Sequence, residues 1–147
     1  MMNLKARGFT LIELVVVITI LGILAAFAIP KFIALDSLAR TATVNALAGS
    51  VKSAAALARG LEMATGGTAT TSVTMEGATV TMANFYPDLP GIALAINMTG
   101  TDFTYVPATG VWNRNNGSGV AIANCLVTYT PATATTAPTA LATTTGC

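Results

Sequence analysis

At 147 residues, with 53% hydrophobic but only 9% charged side chains, the chain has room for one modest domain and is poor in charge for an ordinary soluble surface. A formal charge of +1 excludes a basic nucleic-acid face, so no direct nucleic-acid binding is expected. There is no His, and the carboxylates Glu13, Asp36, Glu62, Glu76, Asp88 and Asp102 are scattered without ligand-like or acid/base spacing, so no enzyme, cofactor or metal site is expected.

Residues 1–8 read MMNLKARG, a short leader with two cations that ends in Gly8. The next 21 residues, Phe9 to Ile29, carry Glu13 as their one ionisable side chain. As a helix this run spans roughly 30 Å, the thickness of a bilayer core. An ordinary secretory signal has a shorter apolar stretch closed by a small-x-small site on its far side, and Ala28-Ile29-Pro30-Lys31-Phe32 fits that pattern poorly. Lys5 and Arg7 place the amino terminus in the cytoplasm, with Lys31 on the other flank weakening the contrast. Glu13 is the anomaly. A carboxylate in such a run costs about 2.5–3.5 kcal/mol on insertion scales, so it either finds a cationic partner, reaches the headgroups, or is carried protonated.

The stretch Lys5-Ala6-Arg7-Gly8-Phe9-Thr10-Leu11-Ile12-Glu13-Leu14 resembles the type III signal of type IV prepilins and pseudopilins. The resemblance implies that a prepilin peptidase cuts between Gly8 and Phe9 and N-methylates Phe9. It further implies that Glu13 pairs with the terminal amine of Phe9 on a neighbouring subunit as an assembly platform draws subunits from the inner membrane into a helical homo-oligomeric filament. Such a pair would explain why the carboxylate is tolerated. Loss of Lys5 and Arg7 with the leader would take the formal charge to near −1. Gly22 and Pro30 fall where the family often weakens its helix, and the alternative at Pro30 is a simple kink in a continuous helix.

Beyond Pro30, Val44, Leu47, Ala48, Val51, Ala55, Ala58 and Leu61 recur at three- and four-residue steps, with Asn45, Gly49, Lys52 and Ser53 largely opposite. This predicts an amphipathic helix over 31–62 with one face under a sheet. From Phe9 to Leu61 the helix would be roughly 80 Å long, so its first half is expected to protrude. A Gly/Thr/Ala loop then leads to a hairpin with Val73 and Met75 before Glu76-Gly77 and with Val80 and Met82 after it. Tyr86 to Pro90 reads as punctuation and Gly91 to Asn97 as a short helical turn. A strand pair is expected around Pro107 to Gly110, then a polar turn from Asn113 to Gly119, and a last strand over Val120 to Tyr129. The expected fold is α+β: a long amino-terminal helix, its first half membrane-spanning or protruding, on an antiparallel-sheet head. Its segments are a leader at 1–8, a membrane and assembly helix at 9–30, a head helix at 31–62 and a sheet head at 63–147.

Cys125 lies on the last expected strand, and the Thr/Ala/Pro-rich sequence from there to Cys147 cannot build a core. Outside the cytoplasm a Cys125–Cys147 disulfide would tie that tail down, in line with the disulfide-closed carboxyl-terminal loop of many type IV pilins; bridging between chains is the alternative. The many Thr hydroxyls fit either a β-prone surface or O-glycosylation. The segment after Pro30, KFIALDSLARTATVNALAGSVKSAAALA, and the later NFYPDLPGI are similar to pilins of the mannose-sensitive haemagglutinin type. The resemblance therefore implies a structural subunit of a cell-surface type IV pilus serving adhesion, twitching motility or uptake of DNA or phage. The alternatives are a type II secretion pseudopilin, against which the cysteine pair and the lack of an acidic calcium cluster weigh, and a single-span membrane anchor or uncut secreted protein that never assembles.

Overall fold

The computed structural model describes residues 8–147, and the side chains of residues 32–34 are outside its description. Seven of the eight leader residues therefore lie outside the described residues. The chain divides into two compact units at the Ser37/Leu38 junction.

In the first unit α1 (Leu11–Ala64) begins on the apolar run and is continuous through Gly22 and Pro30. Many of its residues are β-branched, weak helix formers in water, but an α-helix satisfies its backbone bonds internally and so suits an apolar surrounding. Large apolar side chains from Leu11 to Ile29 are exposed all round the helix. Its most apolar 18 residues have a mean hydropathy of 2.8, long and apolar enough to cross a membrane.

In the second unit the later part of α1 carries the expected face: Val44, Leu47, Ala48, Val51, Ala55 and Ala58 are buried, and Asn45, Gly49, Lys52 and Ser53 are exposed. The helix ends two residues past the expected boundary. Gly66, at φ +69°, lets the Gly67 N–H reach the Glu62 carbonyl at 3.1 Å and the Gly66 N–H reach that of Met63 at 3.4 Å, the paired bonds of a Schellman cap.

The head sheet is antiparallel with strand order β5-β6-β7-β8: β5 (Phe103–Val106), β6 (Val111–Asn115), β7 (Ala121–Thr130) and β8 (Thr139–Thr143). Two small hairpins precede it, β1 (Val73–Met75) with β2 (Ala78–Val80), and β3 (Met82–Ala83) with β4 (Tyr86–Pro87). Between them and the sheet lies α2 (Leu89–Ile96). Trp112, Tyr129, Ile92, Val127 and Cys125 close over the buried face of α1. Trp112 is 1% exposed with its ring centroid 4.3 Å from that of Tyr105, so these aromatics pack the sheet. The Tyr129 hydroxyl donates to the Pro87 carbonyl at 2.7 Å and that of Tyr105 to the Leu89 carbonyl at 2.5 Å, joining the sheet to β4 and α2. Burial pushes both phenols above their ordinary pKa, Tyr129 further than Tyr105.

Several expectations are corrected. Met82 leaves the first hairpin, which turns tightly on Glu76 and Gly77, both at positive φ, and pairs with Pro87 instead. Tyr86-Pro87 is a strand rather than punctuation, and α2 starts two residues early because Asp88 caps it, accepting from the Gly91 N–H at 2.7 Å. Asn113 to Asn115 belong to β6, so the polar turn begins at Asn116. The strand ending near Tyr129 is not the last. β8 pairs with β7 from Leu126↔Thr143 to Thr130↔Thr139, and Ala132 and Ala140 are buried, so the Thr/Ala tail contributes to the core.

One buried group was missed. Glu62 is 0% exposed, one turn beyond Ala58 on the core face, and among the described residues neither carboxylate oxygen meets a protein donor. A buried polar group without partners disfavours the folded state. Glu62→Met, which keeps the chain length and removes the polar group, is expected to raise stability by about 1–3 kcal/mol. Thermal unfolding of the two proteins checks this, and an unchanged or lower midpoint would mean the carboxylate is used in the folded head.

Candidate assembly site at the amino terminus

The residues singled out for processing and assembly lie where α1 begins. Gly8 and Phe9 precede the helix, and the Phe9 side chain is 93% exposed. Thr10 is the last residue before the helix and Glu13 falls in its first turn. The Glu13 Oε2 accepts from the Thr10 backbone N–H at 2.8 Å and from the Thr10 hydroxyl at 2.7 Å, while the Thr10 Oγ1 accepts from the Glu13 N–H at 3.3 Å. This reciprocal pair is a capping box. It satisfies helix-start donors that lipid cannot, which gives Glu13 a local role in the single chain besides the one implied by resemblance. The signal was in the sequence, because Thr-x-x-Glu before an apolar run marks a helix start; Thr10 was the residue overlooked.

Gly22 and Pro30 sit inside the same helix, Gly22 with open space where a Cβ would be. The cysteines belong to the other unit: Cys125 on β7 is disulfide-bonded to Cys147 with their Cα atoms 4.9 Å apart. Among the described residues no group of three or more His, Cys, Asp or Glu is arranged to hold a metal ion.

A family profile described as the prokaryotic N-terminal methylation motif matches residues 3–29. The amino-terminal segment is similar to that of type IV pilins. Among curated proteins, the chain is 53% identical over 55 residues to the type IV narrow pilus major component PilA5 of Thermus thermophilus, covering 37% of this chain and 47% of that protein. It is 68% identical over 31 residues to the type IV major pilin protein PilA of Myxococcus xanthus, covering 21% of this chain and 14% of that one. The matched pilin-like part thus spans about half the length or less of these relatives. No solved structure matches the chain.

Proposed function

We propose that this chain is a structural subunit of a type IV pilus, assembled through the apolar half of α1. The observation that carries the reading is the methylation motif at residues 3–29, set on a helix start whose carboxylate, Glu13, is followed by a fully exposed apolar surface. A helix apolar all round needs lipid or neighbouring helices. In the membrane it has lipid; in a filament it exchanges lipid for copies of itself, with the amine of Phe9 as the cation for Glu13 of an adjoining subunit. The leader at 1–8 is removed by a prepilin peptidase, 9–30 anchors and assembles, and the disulfide-closed head faces the periplasm and then the cell exterior. The similarity to two pilus components, PilA5 and PilA, favours this over a secretion pseudopilus.

Mass spectrometry of the mature protein from sheared surface filaments tests the proposal. The expected species begins at Phe9, carries one added methyl group and retains the Cys125–Cys147 bond. Full-length protein confined to membranes, with Met1 and an unmodified Phe9, would overturn it.

A further inference from the structure

On the head, α1 is flanked by two adjoining cavities of about 200 and 210 Å³ that share Tyr86 and Ala137. Lys52 lines the first and Arg59 the second. Seven residues apart on one helix, they stand two turns or about 10.5 Å apart along its axis. Among the described residues no carboxylate lines either cavity, so both cations face the groove uncompensated. The Arg59 guanidinium lies 4.8 Å from the centre of the Tyr86 ring and its Nη1 donates to the Tyr86 hydroxyl. This fixes its plane and leaves its other donors available.

The opposite wall adds acceptors and an aromatic face. Asn84 donates its Nδ2 to the Ala132 carbonyl at 3.0 Å, which pins the amide and leaves its oxygen to accept. Phe85 lines the cavity beside Arg59, is 42% exposed and holds φ +66° directly after Asn84 at φ +53°. Two consecutive left-handed residues in a two-residue hairpin favour Asn-Gly, so a phenylalanine in the second place is a strained choice. Among the described residues Phe85 belongs to neither buried apolar cluster, so core packing does not account for it. An exposed aromatic face, a fixed guanidinium, an amide oxygen and threonine hydroxyls around an uncompensated pair of cations match a sugar ring bearing acid groups.

We propose that this groove binds an acidic saccharide, with a carboxylate on Arg59, a ring face on Phe85, and Lys52 within reach of the acid group of a neighbouring repeat. The site belongs entirely to the head and is independent of the assembly reading. A terminal acidic sugar of a glycan and an internal uronic acid of a polymer offer the same chemistry to Arg59.

The test is calorimetric titration of the full-length chain in detergent micelles. The probes are a tetrasaccharide with a uronic acid at every second sugar, sialyllactose, neutral maltotetraose and a short polyphosphate. Binding of either acidic sugar, and not of maltotetraose, is expected; preference for the tetrasaccharide identifies a polymer, and preference for sialyllactose a terminal sugar. R59Q is expected to weaken binding about tenfold or more, and K52Q to weaken the tetrasaccharide more than sialyllactose. F85G separates recognition from packing: it relieves the left-handed strain, so the thermal midpoint is expected to hold or rise while affinity falls roughly three- to tenfold. Equal binding of maltotetraose, polyphosphate binding as tight as the sugars and indifferent to F85G, or variants that bind like the parent would each overturn the proposal. So would an F85G protein that loses stability along with affinity.

Discussion

Replacing Cys147 by serine is expected to lower the stability of the head by about 3 kcal/mol, because the bond closes a loop with a sequence separation of 22. That loop holds all of β8. The strand is short and made of Thr, Ala and one Leu, and of its side chains Ala140 is buried while Leu141 is 63% exposed. Its own apolar contacts are therefore too few to hold it against the entropy of the free chain. The chain end is seated closely as well: the Gly146 N–H donates to the Asn124 carbonyl at 3.0 Å, and a Cβ on Gly146 would fall 1.9 Å from the Ala123 carbonyl oxygen. Only glycine allows the approach that brings Cys147 beside Cys125. The effect should be local first, with the amides of Thr139 to Thr143 exchanging much faster with solvent while those of β5 and β6 keep their protection. Thermal unfolding and hydrogen exchange of C147S, and of the parent under reductant, measure it. Unchanged exchange in β8 would mean that pairing with β7 suffices. Cys147 is the better choice because Cys125 is fully buried, and serine there would add an unpaired hydroxyl to the core.

The second large effect concerns Glu13. A Glu13→Leu chain should enter the membrane as well as the parent or better, since the carboxylate costs about 2.5–3.5 kcal/mol in such a segment. The yield of sheared filaments should nevertheless fall more than about tenfold, because the Phe9 amine of a neighbour would be left without its partner. The capping box complicates this single variant, as leucine removes the bonds to Thr10 too. Glu13→Gln resolves it: a glutamine can complete a capping box but carries no charge. If the ion pair between subunits matters, both variants fail; if only the helix start matters, glutamine restores filaments. Normal filament yield from the leucine variant would refute the pairing role altogether.

How much of this was readable in advance followed from how locally each feature is encoded. The methylation motif was legible because Gly8, Phe9, Glu13 and the apolar run are contiguous and chemically unusual. The buried face of α1 was legible from the spacing of Val44, Leu47, Val51 and Ala58, and the β5–β6 pair from aromatic alternation around a Pro-Ala-Thr-Gly turn. β8 was hidden because Thr and Ala carry almost no hydrophobic periodicity; what makes that segment a strand is the edge of β7 and a covalent bond, both distant in sequence. The β3–β4 hairpin escaped because two-residue strands offer no pattern to count. Glu62 escaped because the helical period was followed to its neighbour Leu61. The groove of Lys52, Arg59 and Phe85 could not be read at all, since helix, hairpin turn and Thr-rich turn meet only after folding.

The position of β8 at the end of the sheet order has a practical consequence. A terminal strand presents a row of unpaired backbone groups, and such edges recruit strands from other molecules unless they are kept short or interrupted. Here Pro138 stops the edge at its start and the bond at Cys147 fastens it at its finish. Once reduced, β8 is free to leave, and the long β7 beneath it becomes an open template rich in Val, Leu and Tyr. Clumping of purified protein should therefore track the thiol content of the buffer, and oxidising conditions should keep it dispersed.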